Sequence, residues 1–144
     1  MSNVFKRNEV KYLLTKEQRL NLENSLKRHM RPDEYGEYFV QNLYFDNDSW
    51  DVIRASLDKP FYKEKLRLRC YGLAARGAGC FLELKKKCGG VVYKRRADIP
   101  AERFAGRSVR EAISRIDSQI ARELSFYLQS NPVTERIYIG YNRT

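Results

Sequence analysis

Every second residue of Lys65-Leu66-Arg67-Leu68-Arg69-Cys70 is basic, and those between are apolar. In Phe81-Leu82-Glu83-Leu84-Lys85-Lys86-Lys87 one parity carries Glu83, Lys85 and Lys87, and further on Val92, Lys94, Arg96 and Asp98 share a parity. Alternation at period two marks strands with one apolar and one charged face. If the three strands are neighbours, cations stand about 5–8 Å apart on one side of a sheet, which is costly unless carboxylates or an anion neutralise them. The plainest account of such alternation is the wet face of a half-buried antiparallel sheet. Against it, Arg67, Arg69, Lys85, Lys94 and Arg96 have only Glu83 and Asp98 as local counter-charges. A phosphate-rich anion fits better, because arginine's planar fork makes bidentate phosphate contacts and lysine supplies a compact point charge.

Other chemistries find little support. The single His29 sits among Lys27, Arg28 and Arg31, and no G-x-S-x-G or phosphate-loop pattern occurs. Cys70, Cys80 and Cys88 are odd in number and lack C-x-x-C spacing, so they read as three reduced thiols packed as small hydrophobes. Nucleic acid is the commonest polyanion, but the basic parity carries few aromatics for base stacking, Tyr71 and Phe81 at strand ends, and no helix-turn-helix or zinc-finger pattern appears. A phosphate chain without bases is the better partner, and no specific nucleic acid is expected.

The whole chain of 144 residues carries 28 Lys+Arg against 18 Asp+Glu, a formal net charge of +10, with 42% hydrophobic residues. That is enough apolar material for one core and argues against a disordered basic tail. No apolar run approaches the roughly 18 residues needed to span a bilayer, and Met1–Leu14 lacks the apolar segment of a signal peptide. A soluble, cytoplasmic protein is expected, with no membrane segment in this chain.

The elements that must position the charged residues follow from periodicity. Met1–Leu14 alternates and reads as a first strand. Thr15 with Gln18 forms a capping-box signature ahead of an amphipathic helix over Lys16–Met30, with Leu22, Leu26 and Met30 on one face. Tyr38–Phe45 reads as a strand. Asn47 or Asp48 caps a short helix carrying Trp50, Ile53 and Leu57, stopped by Pro60. Tyr62–Tyr71, Cys80–Lys87 and Val91–Ile99 form an antiparallel meander through the Gly72–Gly79 loop and the Cys88-Gly89-Gly90 turn. Ser108 caps a helix through Ile113 and Ile116, Ile120–Leu128 forms another, and Val133–Arg143 a sixth strand. Nothing divides the chain, so residues 1–144 are one domain.

Six segments in series then resemble a known family. They are Arg7-Asn8-Glu9-Val10-Lys11-Tyr12, Asn42-Leu43-Tyr44-Phe45-Asp46, Leu66-Arg67-Leu68-Arg69-Cys70-Tyr71-Gly72, Phe81-Leu82-Glu83-Leu84-Lys85, Tyr93-Lys94-Arg95-Arg96 and Tyr141-Asn142-Arg143-Thr144. Together they resemble the VTC-type polyphosphate polymerase domain, of the CYTH or triphosphate tunnel metalloenzyme group. The resemblance implies an α+β fold: an antiparallel β-barrel whose charged interior forms a tunnel, with helices packed outside. It implies transfer of the terminal phosphoryl of ATP to a polyphosphate chain with Mn²⁺ or Mg²⁺. Carried over position by position, Lys11, Arg67, Arg69 and Lys85 are the catalytic cations, Arg7, Lys94, Arg96 and Arg143 bind substrate, and Glu9 and Glu83 are the carboxylates for a metal. A catalytically silent module that only holds triphosphate or polyphosphate is the alternative.

Two departures bear on these expectations. Hydrolytic members of the wider group open with E-x-E-x-K, whereas this chain has Arg7-x-Glu9-x-Lys11, which favours a polymerase-like tunnel. The family domain also continues past its Y-x-R segment into further strands, so the chain is expected to lack the second half of the barrel and to be too short for activity alone. Two copies completing one barrel would supply it.

Overall fold

The computed structural model describes residues 10–31, 36–72, 80–104 and 106–143. Their elements run α1 (Lys16–Leu26), β1 (Tyr38–Asp46), α2 (Asp51–Leu57), β2 (Tyr62–Tyr71), β3 (Cys80–Cys88), β4 (Val91–Ile99), a 3-10 turn (Ala101–Phe104), α3 (Val109–Ser114), α4 (Gln119–Ser130) and β5 (Thr134–Arg143). The strands form one antiparallel sheet in the order β4-β3-β2-β1-β5. Both outer strands are edges, so the sheet is not closed into the barrel that the resemblance implies, of which this chain was expected to hold only part. Of the expected first strand, residues 1–9 lie outside the described part, and Val10–Leu14 belong to no strand and are exposed. None of the described strands pairs with Val10–Leu14.

The two faces of the sheet differ sharply. Leu66, Leu82, Leu84, Ala97 and Ile99 point to the side covered by α3 and α4, where Val109, Ala112, Ile113, Leu124 and Leu128 complete a buried cluster. The opposite parity carries the charged residues and has no helix over it among the described residues. The helices explain themselves locally. Ser108 and Glu111 make a reciprocal capping box at α3, and the Ser118 hydroxyl accepts from the Ala121 amide at α4. Ser118 lies ahead of the helix start the sequence suggests, and α4 runs one residue earlier and two later.

Three expectations change. The Thr15–Gln18 capping box forms, but α1 ends at Leu26 and none of its residues is buried, so its Leu22 stripe meets no core. At α2 the cap is the buried Asp46, whose carboxylate accepts from the amides of Asn47, Val52 and Ile53, while the Asn47 side chain accepts from Asp51. The face that α2 turns inward is Val52 and Ser56, leaving Leu57 71% exposed. Finally, Cys70 and Cys80 are not two packed thiols. They stand directly opposite in the β2–β3 ladder and form a disulfide, with Cys88 the free cysteine. Sequence spacing hid this because cross-strand register, not C-x-x-C proximity, brings the sulfurs together.

Candidate functional site

Register builds the charged face row by row. Tyr44 pairs with Arg67, Arg67 with Glu83, and Glu83 with Arg96, so one line across four strands reads Tyr44, Arg67, Glu83, Arg96. The next line is Asn42, Arg69, Phe81 and Asp98, and on the other side Lys65, Lys85 and Lys94 stand abreast. The alternation read from the sequence therefore places Arg67, Arg69, Lys85, Lys94 and Arg96 on one side of the sheet.

Glu83 is the hub. It is 1% exposed, deep among apolar neighbours on its own strand, and three cations converge on it. Arg67 donates through Nε at 2.8 Å and Nη2 at 2.7 Å to Oε2, while Lys94 Nζ at 2.7 Å and Arg96 Nε at 2.8 Å reach Oε1. Burial pushes the Glu83 carboxyl up, but the Lys94 hydrogen bond and the charge of Arg67 outweigh it and hold the group down to about 2. One carboxylate against three cations leaves a local positive surplus.

The arginines are also held from behind by neutral groups. Arg67 Nη1 donates to the Tyr44 hydroxyl at 3.2 Å and Arg96 Nη2 to the Tyr71 hydroxyl at 3.1 Å. Arg69 donates through Nε to Asn42 Oδ1 at 2.9 Å and through Nη2 to the Tyr141 hydroxyl at 3.4 Å. The Arg96 guanidinium lies over the Phe81 ring at 4.0 Å, and Tyr71 meets Phe81 edge-on at 5.6 Å. Burial raises the Tyr71 phenol, yet donations from Arg69 and Arg96 more than reverse that and lower it. Such preorganised donors stabilise charge on an incoming oxyanion without having to reorganise.

Not every expected residue joins this group. Arg67, Lys94 and Arg96 surround Glu83, Arg69 stands one row along on the same face, and Lys85 is exposed beside Lys94. Arg143 lies on the edge strand, exposed, 5.9 Å over the Tyr38 ring. Lys11 is exposed in the irregular stretch before α1 and lies on no strand of the sheet. Arg7 and Glu9 fall outside the described residues. Asp98, expected as a counter-charge, is exposed and makes no ion pair among them. Sequence reasoning missed Asn42, Tyr71 and Phe81 as supports; the shared parity of Tyr38, Asn42 and Tyr44 is the signal available for Asn42.

The described residues alone do not build a divalent-ion site, and Glu9, the other expected carboxylate, lies outside them. No cluster of three or more His, Cys, Asp or Glu side chains among them is placed to hold a metal. Both oxygens of Glu83 are taken by cations, so Mn²⁺ or Mg²⁺ would have to displace them against their charge. No chemical step is therefore derived through a metal. Among the described residues no helix is long and apolar enough to cross a membrane.

With the geometry in place, comparison with known proteins adds one finding. The model of the family described as VTC domain matches residues 6–144. No curated protein matches the chain.

Proposed function

Because the chain belongs to the VTC domain family, we propose that its charged face binds the phosphate chain of ATP or polyphosphate, in a domain of the polyphosphate polymerase type. The observation that carries this reading is the convergence of Arg67, Lys94 and Arg96 on the single buried Glu83. A sheet that only needed a wet face would not bury a carboxylate to hold three cations in place. Arg69 and Lys85 extend the row along the strands, a cation at every second position.

In the transfer reaction, charge spreads over the oxygens of the moving phosphoryl group, and fixed guanidinium and ammonium groups stabilise it there. Arg67 and Arg96 are the best oriented for this, each gripped at Nε by Glu83 and at a terminal nitrogen by a tyrosine. Arg69 and Lys94 flank them and hold neighbouring phosphates. Arg143, on the edge strand, would act only on a longer chain that reaches the sheet edge.

A second reading, a module that holds the same anion without turning it over, is favoured by the open sheet. Nothing among the described residues covers the charged face, so nothing there excludes water from a transferring phosphoryl group. Two measurements separate the readings. Titration with tripolyphosphate should show saturable binding that Arg67→Ala weakens by roughly 10–100-fold, the loss of a charge-assisted bidentate contact. Incubation with ATP and Mn²⁺ followed by gel analysis should show polyphosphate if the domain transfers, and only intact ATP if it binds. No saturable tripolyphosphate binding would sink both.

A further inference from the structure

On the other side of the sheet, α4 and the ends of β2–β4 enclose a groove of about 560 Å³. Leu84 and Leu124 form its floor, 2% and 0% exposed, and Tyr93 and Phe126 stand at its walls, 44% and 69% exposed. Its charges are already matched: Lys86 pairs with Glu64 at 2.9 Å, Arg95 with Glu123 at 3.1 Å, and Lys94 with Glu83 at 2.7 Å. The groove thus lacks the positive surplus of the charged face, although it lies across the same strands. Its size falls in the range of about 300–1,000 Å³ typical of small-molecule sites.

Tyr127 supplies the observation that points to a ligand. The residue lines the groove and is only 8% exposed, yet its hydroxyl makes no hydrogen bond among the described residues. No fully buried polar side-chain atom there lacks a partner. The Tyr127 oxygen therefore keeps some exposure, in a residue that lines the groove. Burial, with the negative charges of Glu64 and Asp46 nearby, pushes this phenol up to about 12, so at neutral pH it is a proton donor in want of an acceptor.

We propose that this groove is a second binding site, for a neutral planar heteroaromatic molecule of nucleobase size, which lies against Tyr93 and Phe126 and accepts a hydrogen bond from the Tyr127 hydroxyl. Balanced ion pairs on the walls disfavour a polyanion, exposed aromatic rings favour a flat partner, and the phenol requires a ring nitrogen or carbonyl oxygen. Stacking of this kind contributes about 1–3 kcal/mol per base, so the affinity is modest. The inference does not depend on phosphate binding at the opposite face.

Adenosine, which carries no phosphate, is the probe. Titration followed by amide chemical shifts should give saturable changes at Tyr93, Glu123 and Tyr127, unaltered by Arg67→Ala. Tyr127→Phe should weaken adenosine about 2–10-fold, one neutral hydrogen bond, while leaving the thermal midpoint of the free protein unchanged or higher. Ser130→Trp, an exposed position at the rim, should abolish binding by filling the groove. Shifts confined to the charged face, or none up to the solubility limit of adenosine, would overturn the proposal. So would a Tyr127→Phe protein clearly less stable than the parent, because its hydroxyl would then have a partner within the protein.

Discussion

Glu83 shows how one side chain decides the behaviour of a whole face. Its folded-state carboxyl is depressed to about 2, so ionised Glu83 stabilises the fold at neutral pH. That contribution is complete above the unfolded value of about 4.5 and is lost as pH falls through the folded one. The thermal midpoint should therefore fall steeply between about pH 4.5 and pH 2. Glu83→Gln preserves shape but leaves Arg67, Lys94 and Arg96 facing one another, and should cost about 3–5 kcal/mol at pH 7, as when one partner of a buried pair is removed. Its stability should change less across the acid window, so that the two curves converge; parallel curves would mean Glu83 does not carry the acid sensitivity. Tripolyphosphate should recover part of the lost stability at pH 7, since it replaces the missing negative charge.

At the scale of elements, the Cys70–Cys80 bridge ties the ends of β2 and β3 next to Arg69 and Phe81. Closing so short a loop constrains the unfolded chain by about 2–3 kcal/mol. Reduction, or a Cys70→Ser/Cys80→Ser double substitution, should lower the thermal midpoint by several degrees, read by calorimetry with and without dithiothreitol. An unchanged midpoint would show that the bridge adds nothing to the fold. The bridge also marks where sequence reading stops. Strand positions, the alternation of β2–β4 and the caps at Thr15 and Ser108 were legible because each depends on neighbours within a few residues. The disulfide, the Asp46 cap of α2 and the grip of Tyr44 on Arg67 depend on register between strands. Periodicity assigns a residue to a face, but it leaves open which residue of the next strand stands opposite. The sequence showed cations sharing a side; only the ladder shows that Glu83 lies in line with Arg67 and Arg96. A closed barrel was likewise not deducible from these strands, because closure requires partners for the edges of β4 and β5.

For the molecule as a whole, the net charge is +10, and the cations at Arg67, Lys94 and Arg96 are fixed around Glu83. A diffuse charge would attract any polyanion in proportion to its phosphates, with affinity falling steeply with salt. A built face discriminates, because Arg67 and Arg96 are held at a spacing that phosphates can match or miss. Any ligand that binds only the folded state raises its stability by mass action, about 2.7 kcal/mol at a hundredfold excess over Kd. In a domain of this size that corresponds to roughly 10 °C. Tripolyphosphate should give a shift of this order, should retain most of it at physiological salt, and should lose it in Arg67→Ala. Oligo-dT at equal phosphate concentration should give a smaller shift that vanishes with salt, since its backbone charges are more widely spaced and the charged face presents few stacking rings. If oligo-dT matches tripolyphosphate at every salt concentration, the face is a general cationic surface and its assignment to a bare phosphate chain fails.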